Sequence, residues 1–352
     1  MQVTSFMEHE VAESPEVIKR QLKNSLSTLK EISKKLQSHP PSFVATIARG
    51  SSDHAALFAK YAIESQLGII TATIAPSIHT IYKANTNYKN SLVIGISQSG
   101  KSPDLVESMA YAKKNGALTV ALINENNSPL EKECEYCIPL LAQKENSVAA
   151  TKSFIASITR IIQFIAYWKQ DNKLIDNLEF LPDILIKQNM LFKKGSLKHF
   201  YTANNILVIG RGYTFPIALE SALKLKETCG LHAEAFSGAE ILHGPIELIK
   251  ESFPTLVYVN NDATFTSISK LIELLIHKKS NVTLIGSKNT IHKLKIPNNN
   301  YLTKITTGSA SEAICNVIPL IHSFYPLVAK FAKLKGKNPD KPNNLNKVTI
   351  TV

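Results

Sequence analysis

From Val17 to Leu36 the apolar residues Ile18, Leu22, Leu26, Leu29, Ile32 and Leu36 recur every three or four positions. That spacing lays one stripe along a helix and predicts a single amphipathic helix over the segment. Beyond it, short apolar runs alternate with helical patterns: FVATIA (43–48), IITATI (69–74), LVIGI (92–96), LTVALI (118–123) and CIPLL (137–141). Mostly apolar runs of this length suit strands covered on both faces. A long helix is predicted from about Val148 to Trp168, and a polar, charged stretch with helical segments follows from about Asp171 to Ser196. The same order then resumes with ILVIG (206–210), TLVYV (255–259) and VTLIG (282–286) and closes on a helix near Ile314–Leu334. Strands alternating with helices predict an α/β fold with parallel sheets flanked by helices.

The two halves read as repeats. TIARGSSDHAALFAKYAIES (46–65) and LVIGRGYTFPIALESALKLKETCG (207–230) share a strand, an Arg-Gly, an alanine-dotted helix and a closing glutamate. The expected organisation is an N-terminal helical segment (1–40), a first α/β domain (41–170), a helical linker (171–197), a second α/β domain (198–335) and a tail (336–352). The tail, GKNPDKPNNLNKVTITV, has two prolines and no helical period, the pattern of a frayed basic end, except that its last residues VTITV are apolar.

The chain's 352 residues, 44% apolar, suffice for two cores of ordinary size. A net charge of +12 would suggest nucleic acid if it were concentrated, but it is spread along the chain and dense only over Lys330–Lys347. No nucleic-acid partner is expected, although a basic surface attracts anionic metabolites. The start MQVTSFMEHEV lacks the basic and apolar regions of a leader, and no apolar run approaches the roughly 20 residues that span a bilayer. A cytoplasmic location away from membranes is the expectation. The sparse cysteines (Cys134, Cys137, Cys229 and Cys315) fit a reducing compartment, and CEYC (134–137) is half a zinc site, so a structural role and no metal are expected there.

Chemistry enters with LVIGISQSGKSPDL (92–105), in which GISQSGKS matches the nucleotide-binding pattern G-x-x-x-x-G-K-[ST] letter for letter. A strand, glycine turns at Gly95 and Gly100 and a helix opening at Pro103 make an anion site, because unpaired amides and the helix dipole favour negative charge. An NTPase also needs a strand ending in an acid that holds magnesium, whereas these strands run into Arg49, Pro76, Ser97, Asn124, Arg211 and Asn260. The hydroxyls of Ser97, Ser99 and Ser102, with Ser51 and Ser52 after the first strand, suit a compact phosphomonoester instead.

In ALESALKLKE (218–227), Glu220, Lys224 and Glu227 fall on one helical face. Alone, that stripe reads as solvated, with an i,i+4 pair worth a few tenths of a kcal/mol. The following AEAFSGAEILHGP adds Glu234, Glu240 and His243 among turn residues. A carboxylate that carries a proton between adjacent carbons and an imidazole that opens a sugar ring suit enolisation.

Taken together, ARGSSDHAALFAKY, ISQSGKSPDLVE, SVAATKSF, ALESALKLKE, AEAFSGAEILHGP and NPDKPNNLNKVT resemble the sugar isomerase (SIS) family over nearly the whole chain. Within it they are similar to the two-SIS-domain glucosamine-6-phosphate deaminases, relatives of the isomerase half of glucosamine-6-phosphate synthase. The resemblance implies two doubly wound, flavodoxin-like domains. It implies that Ser52, Ser97, Gln98, Ser99 and Ser102 hold the sugar phosphate, with Ser51 and the Val148 backbone nearby, so that Lys101 and Ser102 only imitate a nucleotide-binding loop. Glu227 would be the carbon base, Lys224 would neutralise oxyanion charge, and Glu220 would orient Lys224. His243 would help open the ring from the partner subunit of a homodimer. Lys347 matches a lysine that contacts the open-chain sugar, so the tail would fold over the pocket. No metal or redox cofactor is implied.

Two departures bear on direction. The synthase begins with a cysteine and a glutaminase domain that supplies ammonia, whereas this sequence starts Met1-Gln2 and reaches its first strand by Phe43, leaving no room for an ammonia source. ARGSS also stands where the synthase has a Cys-Gly-Thr-Ser type of loop. Both favour deamination of glucosamine 6-phosphate to fructose 6-phosphate and ammonia. The alternatives are a deaminase or deglycase of another amino-sugar or glycated-amine 6-phosphate, and a non-catalytic sugar-phosphate sensor. For a sensor of the usual kind, about forty residues before the first strand are too few to hold a DNA-binding domain.

Overall fold

The computed structural model describes residues 5–189 and 200–347. The apolar end VTITV and residues 190–197 of the expected linker lie outside the described residues. The apolar runs become β1 (Phe43–Ile47), β2 (Thr71–Thr73), β3 (Ser91–Ser97), β4 (Ala117–Ile123) and β5 (Tyr136–Pro139), a five-stranded sheet in the order β2-β1-β3-β4-β5. A second sheet holds β6 (Asn205–Gly210), β7 (His232–Ser237), β8 (Pro254–Val259), β9 (Asn281–Ser287) and β10 (Leu302–Thr307) in the order β10-β9-β8-β6-β7. Every pairing is parallel. Followed from β7, the second sheet repeats the 2-1-3-4-5 order of the first, the flavodoxin-like arrangement.

Ahead of β1 lie α1 (Phe6–Ala12), α2 (Ser14–Lys23) and α3 (Leu26–Ser38). In the first half α4 (Ser51–Leu67) follows β1, α5 (Ser77–Thr80) follows β2, α6 (Pro103–Lys114) follows β3 and α7 (Pro129–Glu133) follows β4. Two long helices, α8 (Lys152–Lys169) and α9 (Asn172–Asn189), come after β5. In the second half α10 (Phe215–Cys229), α11 (Phe265–His277), α12 (Lys288–Lys293) and α13 (Ala313–Leu334) follow β6, β8, β9 and β10.

The chain divides into two compact units. One comprises residues 16–145, 152–179 and 346–347 and carries the first sheet. In it the single helix expected over 17–36 is two, because Ser25 sits in the left-handed region (φ 62°) between α2 and α3. Arg160, fully buried on α8, explains how the break is tolerated: its guanidinium donates to the carbonyls of Gln21 at 2.8 Å and Asn24 at 3.2 Å, which a continuous helix would have used itself.

The other unit comprises residues 5–15, 146–151, 180–189 and 200–345 and carries the second sheet. Leu207, Ile209, Val257, Val259, Val282 and Leu284 from its strands pack with Ile268, Leu271, Ile272 and Leu275 of α11, each fully buried side chain contributing about 1.5–3 kcal/mol. α13 is 22 residues long and passes as a membrane-crossing helix by length and mean composition, although Asn316, His322, Ser323 and Lys330 interrupt its apolar residues. Its most apolar window is 89% buried inside the protein, as in a core helix.

The helix expected from Val148 begins instead at Lys152, since the amides ahead of it are taken by tertiary partners. Those of Asn146 and Ser147 donate to the buried Glu10 carboxylate, and that of Val148 donates to the Asp340 carbonyl at 3.0 Å. Asp340 also accepts the Phe6 and Met7 amides at 2.9 and 2.8 Å, and Lys333 pairs with Glu8 at 2.5 Å. The tail at Asp340 is therefore tied down, not frayed.

Candidate active site

In an open parallel sheet of this order, ligands bind beyond the carboxyl ends of the strands where the winding reverses, here between β1 and β3. Both loops at that point carry the predicted serines. After β1 the chain turns at Gly50 (φ 56°), so Ser51 and Ser52 open α4, where backbone amides lack helical acceptors. After β3, Ser97 and Ser99 are buried, and Ser102 is the N-cap residue of α6, with Pro103 first in the helix as predicted. Ser97 Oγ accepts the Gly100 amide at 2.9 Å and Ser99 Oγ accepts the Lys101 amide at 3.3 Å, which leaves each hydroxyl its proton to donate. The Gln98 carbonyl accepts the amides of Asn124 and Glu125 at 3.3 and 3.1 Å, fixing the loop against the end of β4. Gly100 has φ +63°, and a Cβ there would lie 2.3 Å from Ser128 Oγ. Lys101, which made the string look like a nucleotide-binding loop, is exposed and paired with Glu125 at 2.7 Å.

Sequence reasoning passed over Arg49. Its Nε and Nη2 donate to Asp104 Oδ2 at 3.1 and 2.9 Å, joining the turn after β1 to the first turn of α6. Asp104 is buried while Arg49 stays half exposed, a fixed positive charge beside the serine loops. The signal was present in ARGSS, an arginine one glycine ahead of the hydroxyls.

In the second-sheet unit, α10 carries the predicted stripe, and it is not solvated. Glu220 and Lys224 are fully buried, with Lys224 Nζ 3.3 Å from Glu220 Oε1 and 2.5 Å from Glu227 Oε2. Burial alone would lower the Lys224 pKa, but the two carboxylates outweigh it and raise it, so the ammonium persists in the core. Tyr325 of α13 donates to Glu220 Oε1 at 3.2 Å. Only Glu227 of the three reaches solvent, its side chain 21% exposed. It lines a cavity of about 340 Å³ with Lys226 and Thr228 of α10 and Lys337, Lys341 and Asn344 of the tail. The tail thus forms one wall of the space that Glu227 faces, and three lysines surround that space with positive charge.

The other predicted residues are placed as follows. His243 ends a short 3₁₀ turn, Glu240–His243, and is exposed beside the exposed Leu242 and Leu248. Among the described residues neither it nor the exposed Glu234 and Glu240 bonds to Glu220, Lys224 or Glu227. In the first-sheet unit Lys347 donates to the buried Glu145 at 2.8 Å, and Glu145 also accepts the Ser153 hydroxyl at 2.8 Å. The Val148 amide is already used by Asp340. Burial pushes the Cys134 and Cys137 thiols up to about 12, so neither is a ready thiolate. Among the described residues no group of three or more His, Cys, Asp or Glu could hold a metal.

A family model described as SIS domain matches residues 42–167 and 199–329. The isomerizing glutamine–fructose-6-phosphate aminotransferase of Aquifex aeolicus is 34% identical over 351 residues, covering 99% of this chain, which spans 58% of that relative's length. The C-terminal domain of glucosamine-fructose-6-phosphate aminotransferase from Francisella tularensis superposes with a TM-score of 0.84 at 25% identity, covering 97% of this chain and 99% of that one. The glucosamine-6-phosphate deaminase structure from Thermotoga maritima, at 20% identity and a TM-score of 0.75, covers 99% of this chain and 100% of that chain and shares the fold.

Proposed function

Because this chain belongs to the SIS domain family, we propose that it is a sugar-phosphate enzyme that converts glucosamine 6-phosphate and water to fructose 6-phosphate and ammonia. The observation that carries the reading is Glu227: it contacts a buried, doubly paired lysine and opens onto a cavity walled by lysines. A base for carbon acid chemistry needs that combination of fixed orientation and access to substrate.

We assign the sugar phosphate to Ser51, Ser52, Ser97, Gln98, Ser99 and Ser102, with Arg49 adding charge. Ring opening exposes the C1 aldehyde, and His243 of a second copy of the chain assists it by proton transfer. Glu227 takes the C2 proton, the electron pair forms the enolamine as the C1 oxygen gains a proton, and Glu227 returns its proton to C1. Water then adds to the resulting C2 imine and ammonia leaves. Lys224, buried and saturated by carboxylates, is assigned to holding Glu227 in place. Each step is reversible, so free ammonia reverses the net reaction by mass action, and dilute ammonia favours deamination. Names of relatives built around fructose 6-phosphate support the same carbon skeleton.

The test incubates the pure protein with a panel of amino-sugar 6-phosphates and glycated-amine 6-phosphates and measures ammonia and ketose phosphate in the same sample. Equimolar products from glucosamine 6-phosphate are expected. Products only from another member of the panel would reassign the substrate, and binding without turnover across the panel would favour a sensor.

A further inference from the structure

We infer that Tyr325 is a positioning residue that governs how Lys224 is shared between Glu220 and Glu227, an inference that rests on the proposed role of Glu227. Two carboxylates compete for one ammonium in a space closed to water around Glu220 and Lys224. The competition is uneven: Lys224 lies at 2.5 Å from Glu227 and at 3.3 Å from Glu220. Tyr325, fully buried on α13, supplies a reason, because its hydroxyl donates to the same Glu220 Oε1 that faces Lys224. An oxygen already holding a neutral donor draws less on the ammonium, which is left to lean toward Glu227.

The nearby hydroxyls do not duplicate this role. Ser221 Oγ donates its proton to the Ile217 carbonyl at 2.8 Å, so Tyr258, 2.6 Å from Ser221 Oγ, donates to it. Tyr258 is thereby committed to Ser221, and burial with the Glu220 charge nearby raises its pKa and keeps it protonated. Tyr325 reaches Glu220 from a different helix, so the sharing of Lys224 is set by the packing of α10 against α13.

Tyr325→Phe removes one oxygen and keeps the ring. The expected result is a kcat about tenfold lower with an unchanged KM, the loss a charge-assisted hydrogen bond would produce in the transition state alone. In a Glu220→Gln background the same change should cost nothing further, because the charge it answers is gone. Equal losses in both backgrounds, or an unchanged kcat in the single variant, would overturn the inference. A crystal structure of Tyr325→Phe reads the point without substrate: Lys224 should come closer to Glu220 than to Glu227, and an unmoved Lys224 would refute the role of Tyr325. If the wild type turns over no sugar phosphate, the proposed function fails, while that structure still decides whether Tyr325 directs Lys224.

Discussion

Glu227→Gln is expected to lower kcat by about 10²–10⁴-fold while leaving the fold in place. In the wild type two carboxylates face one ammonium, a net charge of −1, at 3.3 Å for Glu220 and 2.5 Å for Glu227. The amide leaves Lys224 paired with Glu220, so the group becomes neutral and no buried charge is stranded. Stranding is what makes breaking a buried pair cost about 3–5 kcal/mol. Without it, the change is one hydrogen bond weakened from charged to neutral, on the order of 1 kcal/mol. The chemical loss is of another size, because a general base is worth about 10²–10⁴-fold, or roughly 2.7–5.5 kcal/mol of barrier. Initial rates of ammonia release from glucosamine 6-phosphate give kcat and KM, and urea unfolding of the same preparation gives stability. A folded variant with near wild-type kcat would refute Glu227 as the base. A stability loss of several kcal/mol would refute the electrostatic argument instead.

Lys224→Met strands both carboxylates and should cost about 3–5 kcal/mol at neutral pH, with part of the loss recovered in acid as a carboxyl takes up a proton; urea titrations at two pH values check it. His322 is fully buried, and its Nδ1 faces the Gln188 Nε2 donor at 3.1 Å, whose amide is oriented by the Gly308 amide on Oε1 at 2.9 Å, so the ring is held neutral. Burial lowers its pKa to about 4, partly opposed by the Val11 carbonyl; between about 4 and 6.5 the unfolded chain therefore binds the extra proton, and stability is lost as the pH falls through that window. The loss accumulates to about 3 kcal/mol, and His322→Gln should flatten it in chemical denaturation at stepped pH; an unchanged slope would assign the acid sensitivity elsewhere. Gly100→Ala places a Cβ against Ser128 Oγ in a left-handed backbone and should destabilise the protein by about 2–4 kcal/mol, read as a lower melting temperature with weaker sugar-phosphate binding. Mixing inactive Glu227→Gln with inactive His243→Ala should restore activity if His243 serves a neighbouring copy, and demonstrable subunit exchange without recovery would remove that role.

How much of this was legible in the sequence depended on whether the deciding partner was near in the chain. β3 and β4 are buried on both faces and announce themselves as short, mostly apolar runs. β7 and β10 are edge strands with polar positions such as the exposed His232 and Glu234 and the half-exposed Lys304, so no apolar run marked them. The serine loops could be read because their chemistry is local, a turn and a helix start. On α10 the pattern misled, since Glu220 and Lys224 look like a wetted face, and the partners that make their burial tolerable include Tyr325, on a helix distant in sequence, as well as Glu227. Arg49 gained its meaning from Asp104, and the break at Ser25 from Arg160, partners that periodicity does not reveal.

Asp340 has a consequence for the order in which the protein is made. The amides of Phe6 and Met7 leave the ribosome well before the carboxylate that receives them, which lies 334 residues later than Phe6. At about 5–20 residues per second, α1 waits roughly 15–70 s for that partner. The Val148 amide waits for the same residue, and the tail wall of the Glu227 cavity is synthesised on either side of it. Both sheets can pair while the chain is still growing, but a nascent chain stopped short of residue 340 has an unsealed start, an unanchored middle and a glutamate facing open water. The cavity around Glu227 is therefore closed only after the stretch on either side of Asp340 has been made, and until then the proposed base lacks the wall it faces in the folded protein.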